Sequence, residues 1–349
     1  MKRTAAVLIV ALAAFAAFAQ SKGPITVVWY PNQAGEDWKA GRQAMDDIIS
    51  KALGGRQVID MLTTDYVIAI QAIANDKAAI CYPGAVGYIQ AEQINKNVVP
   101  VVVPSSSKGT LDDSVYYSRI AVRVADGGRY YNADTGKYSL DALAGKAFSF
   151  VSTSSTSGFM MPTSAILKPY FAKSRGWKSS DKVEDLFLTG GQGMLFSNVI
   201  FGQSHQGSIY NVLSGKADAC AVDDTDVDDY FVLVAGKANT AGAVYAVKQG
   251  AAAPFDTVPG ASFLVIAATT VRQSPIIADM NLLSQDDLAK LRAAFTADST
   301  TNNPKIFTPK DYLDPATGKP FKGLWSKDGS NKFLVVDAKW YDDIRQMMK

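Results

Sequence analysis

The run Ser152-Thr153-Ser154-Ser155-Thr156-Ser157-Gly158 follows a buried-strand pattern, Phe148-Ser149-Phe150-Val151, and gathers hydroxyl groups just ahead of a glycine. Such a run can cradle an anion. A helix opening just past the glycine turns its unpaired N–H groups and positive dipole end back on the turn, where the hydroxyls add further donors. Pro162 supports a helix start within about a turn upstream, because proline is tolerated only in the first turn. The alternative reading is a Ser/Thr-rich loop that caps a helix and binds nothing.

Other residue types narrow the chemistry. His205 is the one histidine in the chain, which excludes a His-rich metal site or a His-Glu-x-x-His protease. A secreted hydrolase using Ser155 or Ser157 with His205 lacks a visible orienting acid. Gly202-Gln203-Ser204-His205-Gln206-Gly207 also misses the nucleophile-elbow spacing. Thr189-Gly190-Gly191-Gln192-Gly193 lacks the Lys-Ser/Thr ending of a phosphate-binding loop and reads as a turn. Asp223-Asp224-Thr225-Asp226-Val227-Asp228-Asp229 has no glycine at the sixth position and no glutamate at the twelfth, counted from Asp224, so it is not a calcium loop. It reads as the cap of a helix expected from Val227 to Ala235. No cofactor or metal is expected.

Lys2 and Arg3 precede an apolar stretch from Ala5 to Ala19 that is too short to span a bilayer, and Ala17-Phe18-Ala19 fits a cleavage site before Gln20. Residues 1–19 therefore read as a cleavable signal peptide, and no cysteine follows the cleavage site to carry a lipid anchor. Their removal takes away two basic residues and leaves 33 basic against 33 acidic ones. Near-neutral charge argues against nucleic acid or a membrane surface as partner. Cys81 and Cys220 fall in strand-like segments of different domains and are expected to be free, buried thiols.

With 349 residues and 48% apolar content, the chain is long enough for two domains. Strands at Ile25–Trp29, Val58–Leu62, Ala78–Tyr82 and Val98–Val103 alternate with helices at Glu36–Leu53, Tyr66–Asn75 and after Gly84. A second series holds strands at Lys146–Val151, Ala217–Val222 and Ser262–Ala268, with helices near Pro162 and at Ser208–Ser214. Ser284-Gln285-Asp286-Asp287 is a capping pattern for a helix at Leu288–Phe295. The expected domains are residues 20–120 with 263–349 as lobe 1, and 121–262 as lobe 2, with hinges at Arg119–Arg123 and Gly260–Phe263. In such α/β lobes ligands bind at the C-terminal ends of strands.

The chain resembles the phosphonate-binding (PhnD-like) group of periplasmic solute-binding proteins. The resemblance rests on Ser155-Thr156-Ser157-Gly158-Phe159 with Pro162, on Asp65-Tyr66, on Ala79-Ile80-Cys81-Tyr82-Pro83-Gly84, on His205 ahead of a helix and on Gly215-Lys216-Ala217-Asp218-Ala219. It implies an α/β type 2 periplasmic binding fold, two lobes joined by two hinge strands, that closes on its ligand. The implied partner is an ABC importer permease, with the protein acting as a monomer in the periplasm. The implied oxyanion ligands are Tyr66 and Tyr82 from the first lobe, and Ser155, Thr156, Ser157 and His205 from the second.

Members resembling aminoalkylphosphonate binders carry two amine-holding carboxylates; the matched positions here are Thr225 and Ala261. The expected ligand is thus a small oxyanion without an amine, phosphite, phosphate or a simple alkylphosphonate, with Asp224 accepting a hydrogen bond from a protonated ligand oxygen. A receptor handing ligand state to a membrane sensor kinase would use the same fold. In that reading Cys81 beside Tyr82 would sense a soft oxyanion, although an apolar strand suits a structural thiol better.

Overall fold

A computed structural model of the chain describes residues 23–34, 36–175, 178, 181–319 and 321–349. The expected signal peptide lies outside these residues. The first series forms as the apolar periodicity dictates: strands β1 (Ile25–Trp29), β2 (Val58–Leu62), β3 (Ile80–Tyr82) and β4 (Val98–Pro104) alternate with helices α1 (Glu36–Ala52), α2 (Tyr66–Ala74) and α3 (Ala85–Ile94). Asp65 caps α2 by accepting the Val67 N–H, which fixes Tyr66 as the first helical residue.

The chain then runs through β5 (Val115–Arg123), the short polar hairpin β6 (Tyr131–Asn132) and β7 (Lys137–Tyr138), and β8 (Ala147–Phe150). Strands β9 (Asn198–Phe201), β10 (Ala219–Asp223), β11 (Phe231–Ala235), β12 (Val244–Val247) and β13 (Ser262–Arg272) complete the second series. The return passes through β14 (Ile276–Asp279), β15 (Phe307–Pro309), β16 (Trp325–Lys327) and β17 (Phe333–Val335). The capping box predicted at Ser284 and Asp287 is present and opens the helix Gln285–Phe295.

Among the described residues, one sheet has the order β17-β4-β14-β3-β1-β2 and the other β11-β12-β13-β5-β10-β8-β9. Each sheet is sandwiched between two apolar clusters. Trp29, Met45 and Phe295 pack in one cluster of the first sheet and Tyr88, Val103 and Tyr341 in the other. Phe148 and Phe196 pack in one cluster of the second sheet, Val222 and Phe263 in the other. Cys81 and Cys220 are buried free thiols, one in each sheet.

Three expectations are corrected. First, β5 and β13 pair along their full length, from Val115 opposite Arg272 to Arg123 opposite Phe263. Boundaries at 120/121 and 262/263 would cut both strands. The segments passing between the sheets are instead 105–114 and 273–275, so Arg119–Arg123 lies in the second sheet, and Gly260–Phe263 spans a turn and the first residues of one of its strands. The alternating pattern of these strands does not reveal where one sheet ends.

Second, 227–235 is not a helix. Val227–Tyr230 form a turn, and Phe231-Val232-Leu233-Val234-Ala235 pair with β12, as a run rich in β-branched residues favours. Third, the chain begins to coil at Thr156, before Gly158 rather than past it, in widened π-type turns that lead into the helix Lys168–Arg175.

Arg119, on β5, is fully buried and ties the second lobe together. It makes a bidentate pair with Asp228 at 2.5 and 2.8 Å, donates to Asn239 at 2.7 Å and lies 4.4 Å from the Tyr245 ring centre. Replacing Arg119 with methionine removes the cation facing Asp224 and Asp228, and should cost about 3 kcal/mol. A urea midpoint equal to that of the wild type would contradict that role.

Candidate functional site

The C-terminal ends of β1, β3 and β10 and the coil after β8 converge on a cleft of about 670 Å³ between the two sheets. Every residue proposed from the sequence lines it: Tyr66, Tyr82, Ser155, Thr156, Ser157, His205, Asp224 and Thr225. Asp226, next to the matched position Thr225, lines it too, as do Asn32, Tyr116, Asp223, Ser274 and Trp325, which no sequence motif marks as ligand-binding.

The polar atoms share one pattern. Ser155 Oγ accepts the Gly158 N–H at 3.0 Å, and Thr156 Oγ1 accepts the Val86 N–H at 2.9 Å. The Tyr66 hydroxyl accepts from Asn32 Nδ2 at 2.7 Å, and the Tyr82 hydroxyl from Trp325 Nε1 at 3.3 Å. His205 Nδ1 accepts the Asp223 N–H at 3.0 Å. An amide or indole N–H can only donate, so in each case the lone pair it meets is filled from the protein side. The hydroxyl protons and the His205 Nε2 proton are left to serve as donors. Capping by Ser155 and anion binding are therefore compatible, since the oxygen that closes the turn keeps its proton.

Close packing enforces these contacts. A Cβ on Gly84 would lie 2.8 Å from Thr156 Oγ1, and one on Gly158 would lie 2.3 Å from Val151 Cγ2. Polar contacts across the cleft include Val86 with Thr156, the His205 backbone N–H with Asn32 Oδ1 at 3.4 Å, and the ion pair of Lys322 with Asp229. Lys322 also sits 4.6 Å from the Trp38 ring centre.

Asp224 lines the cleft, but its carboxylate is taken. One oxygen accepts the Tyr117 N–H at 2.8 Å and the other accepts Asn239 Nδ2 at 2.9 Å. Thr225 donates its hydroxyl to Asp223 at 3.2 Å. The carboxyl groups that instead face His205 are Asp223 and Asp226, both over nine-tenths buried. Burial, with Asp224 adding repulsion, pushes Asp223 up to about 8. Burial and then Asp223 push Asp226 up to about 7. Burial likewise holds His205 neutral, its pKa lowered to about 4. The 3.5 Å approach of His205 Nε2 to Asp223 is thus a contact of a neutral imidazole.

His205, Asp223 and Asp226 place one donor atom each within 4.8 Å of one another, the spacing of a metal site. The histidine does not fit that role. Its Nδ1 lone pair is filled by the Asp223 N–H, so Nε2 carries the proton and offers no lone pair to a cation.

Two lobes flank a donor-lined cleft at strand ends, in the topology of type 2 periplasmic binding structures. The family model for periplasmic phosphonate substrate-binding proteins of ABC transporters matches residues 27–317, and the chain belongs to that family. It is thus a substrate-binding component of a transport system. A comparison with curated proteins finds no match.

Among solved structures, the binding-protein component of a phosphonate ABC transporter from Pseudomonas aeruginosa superposes with a TM-score of 0.61 at 16% identity, covering 93% of this chain and 85% of its own. A Prochlorococcus marinus PhnD1 structure with methylphosphonate gives 0.61 at 17% identity, with 93% and 97% covered. A Xanthomonas citri protein solved with ATP gives 0.55 at 12% identity, with 93% and 96% covered. At these identities the likeness carries the fold alone. Among the described residues no helix is long and apolar enough to cross a membrane, and the comparisons lend no support to a sensor-kinase receptor.

Asp223 and Asp226 both have folded pKa values raised above the ordinary 3.8. Their contribution to stability is fully present below about pH 4 and is lost as pH rises through 7 to 8. The ligand-free protein should therefore melt at lower temperature at pH 8.5 than at pH 5.5, and Asp226→Asn should reduce that difference. Parallel melting curves for variant and wild type would contradict the buried acid.

Proposed function

We propose that the protein binds a small phosphorus oxyanion in a protonated form, phosphite, phosphate or a simple alkylphosphonate, and delivers it to an ABC importer by hinge closure. The observation that carries this reading is a set of oriented donors, at Tyr66, Tyr82, Ser155, Thr156 and His205, with the Ser157 hydroxyl on the same lining and two buried carboxyl groups beside His205. Neutral donors suit an anion's oxygens without a bulk positive field. The carboxyls of Asp223 and Asp226 would repel a fully ionised anion but accept a hydrogen bond from one that keeps a proton. They replace Asp224 in that role.

The other acids of the same loop are already engaged and are not free for an ammonium on the ligand. Asp228 is paired with Arg119 and Asp229 with Lys322. Methylphosphonate in the Prochlorococcus relative supports a simple alkylphosphonate as one candidate. Residues 1–19, read as an export signal, support a periplasmic carrier, which we take to act as a monomer. The connecting segments 105–114 and 273–275 are the proposed hinges, and the cross-cleft contacts of Asn32, Val86 and Lys322 would form on closure.

Thermal unfolding of the dialysed protein with phosphate, phosphite, methylphosphonate, 2-aminoethylphosphonate and sulfate tests the reading. A ligand at a hundredfold excess over its Kd adds about 3 kcal/mol to stability. A phosphorus oxyanion should stabilise, sulfate should not, and the shift should shrink from pH 6 to pH 9. Ser155→Ala should weaken binding about tenfold or more. Equal stabilisation by sulfate would contradict the acid-based selection, and no shift with any of these anions would contradict the phosphorus reading.

A further inference from the structure

Asn32 lies in the turn Pro31–Gln33 that follows β1, and its side chain is over nine-tenths buried. The turn is held from below by Arg42, whose guanidinium donates to the Gln33 carbonyl and pairs with Asp60 at 3.1 Å. From there the Asn32 amide reaches three parts of the cleft. Nδ2 donates to the Tyr66 hydroxyl at 2.7 Å, Oδ1 accepts the His205 N–H at 3.4 Å, and the Asp226 carboxyl faces the same amide.

A phenol can either donate its proton or accept one at its oxygen, and which it offers a ligand depends on its other partner. Asn32 Nδ2 has only hydrogens to give. With its oxygen occupied in this way, the Tyr66 hydroxyl has no acceptor among the described residues, and its proton is left for a partner in the cleft that Tyr66 lines. We propose that Asn32 is the positioning residue that commits the Tyr66 hydroxyl to donating toward the bound oxyanion, and so makes this tyrosine a discriminator for acceptor-rich ligands. The inference rests on the oxyanion reading above.

Asparagine and aspartate have nearly the same shape, which separates this role from simple packing. Asn32→Asp would present an acceptor to Tyr66, turning its proton away from the ligand, whereas Asn32→Ala leaves the proton undirected. Methylphosphonate affinity, measured by calorimetry on the full chain, should fall about tenfold in N32A and about a hundredfold in N32D. Introduced charge alone would also weaken an anion, so the same pair is made on Tyr66→Phe. Without the hydroxyl the gap between N32D and N32A should shrink to about threefold, the part due to charge.

Ligand-free unfolding midpoints identify any variant that does not fold. If N32D is one of these, the N32A and Y66F cycle decides, and the two losses should not add. Wild-type-like binding by N32D, a gap that persists on Y66F, or additive N32A and Y66F losses would each overturn the role of Asn32. Absence of wild-type binding to phosphate, phosphite and methylphosphonate would instead overturn the functional reading on which it rests.

Discussion

The site depends on one constraint: a hydroxyl or imidazole whose lone pair meets a group that can only donate keeps its own proton for a ligand. Backbone N–H groups do this for Ser155, Thr156 and His205, and side-chain N–H groups do it for Tyr66 and Tyr82. The filling groups come from both lobes. Val86 lies in the first turn of a first-lobe helix and reaches Thr156 in the second, while Asn32 reaches from the first lobe to the His205 backbone. Donor orientation and the contact between the lobes are therefore linked by the same atoms.

The rest of the electrostatics follows from keeping this array dry and nearly uncharged. Burial neutralises His205 and raises Asp223 and Asp226 toward the protonated form. Two of the cations in this region are held by carboxylates: Arg119 pairs with Asp228 beneath the acidic loop, and Lys322 with Asp229 across the mouth. What remains facing the ligand is a set of protons on one side and two weak acids on the other. Such a pairing favours an anion that still carries a proton over one that has none.

Much of this was legible in the chain. The hydroxyl run before Gly158, the tyrosines at the start of α2 and the end of β3, and the lone histidine before a helix all carry types and positions that chemistry alone makes suggestive. The type 2 fold followed from strand and helix alternation together with the resemblance. The misreadings have physical causes. Asp223 and Asp224 are neighbours on an alternating strand end, and only the sheet register decides which points at Tyr117 and which at His205. The run Phe231–Ala235 suits a strand or a buried helix by composition, and its pairing with Val244–Val247 decides.

Asn32 had no motif to mark it. Its place just past the C-terminal end of β1, where open α/β sheets collect ligands, was the available signal.

The most direct test is calorimetric titration of the purified protein with the best-bound phosphorus oxyanion at pH 7.5, in two buffers of different ionisation enthalpy. The difference in observed heat gives the protons exchanged on binding. Because an arriving anion would raise the affinity of Asp223 and Asp226 for protons, net uptake approaching about one proton per ligand is expected by linkage. Buffer-independent heat, or net proton release, would contradict a site that selects its anion through buried carboxylic acids.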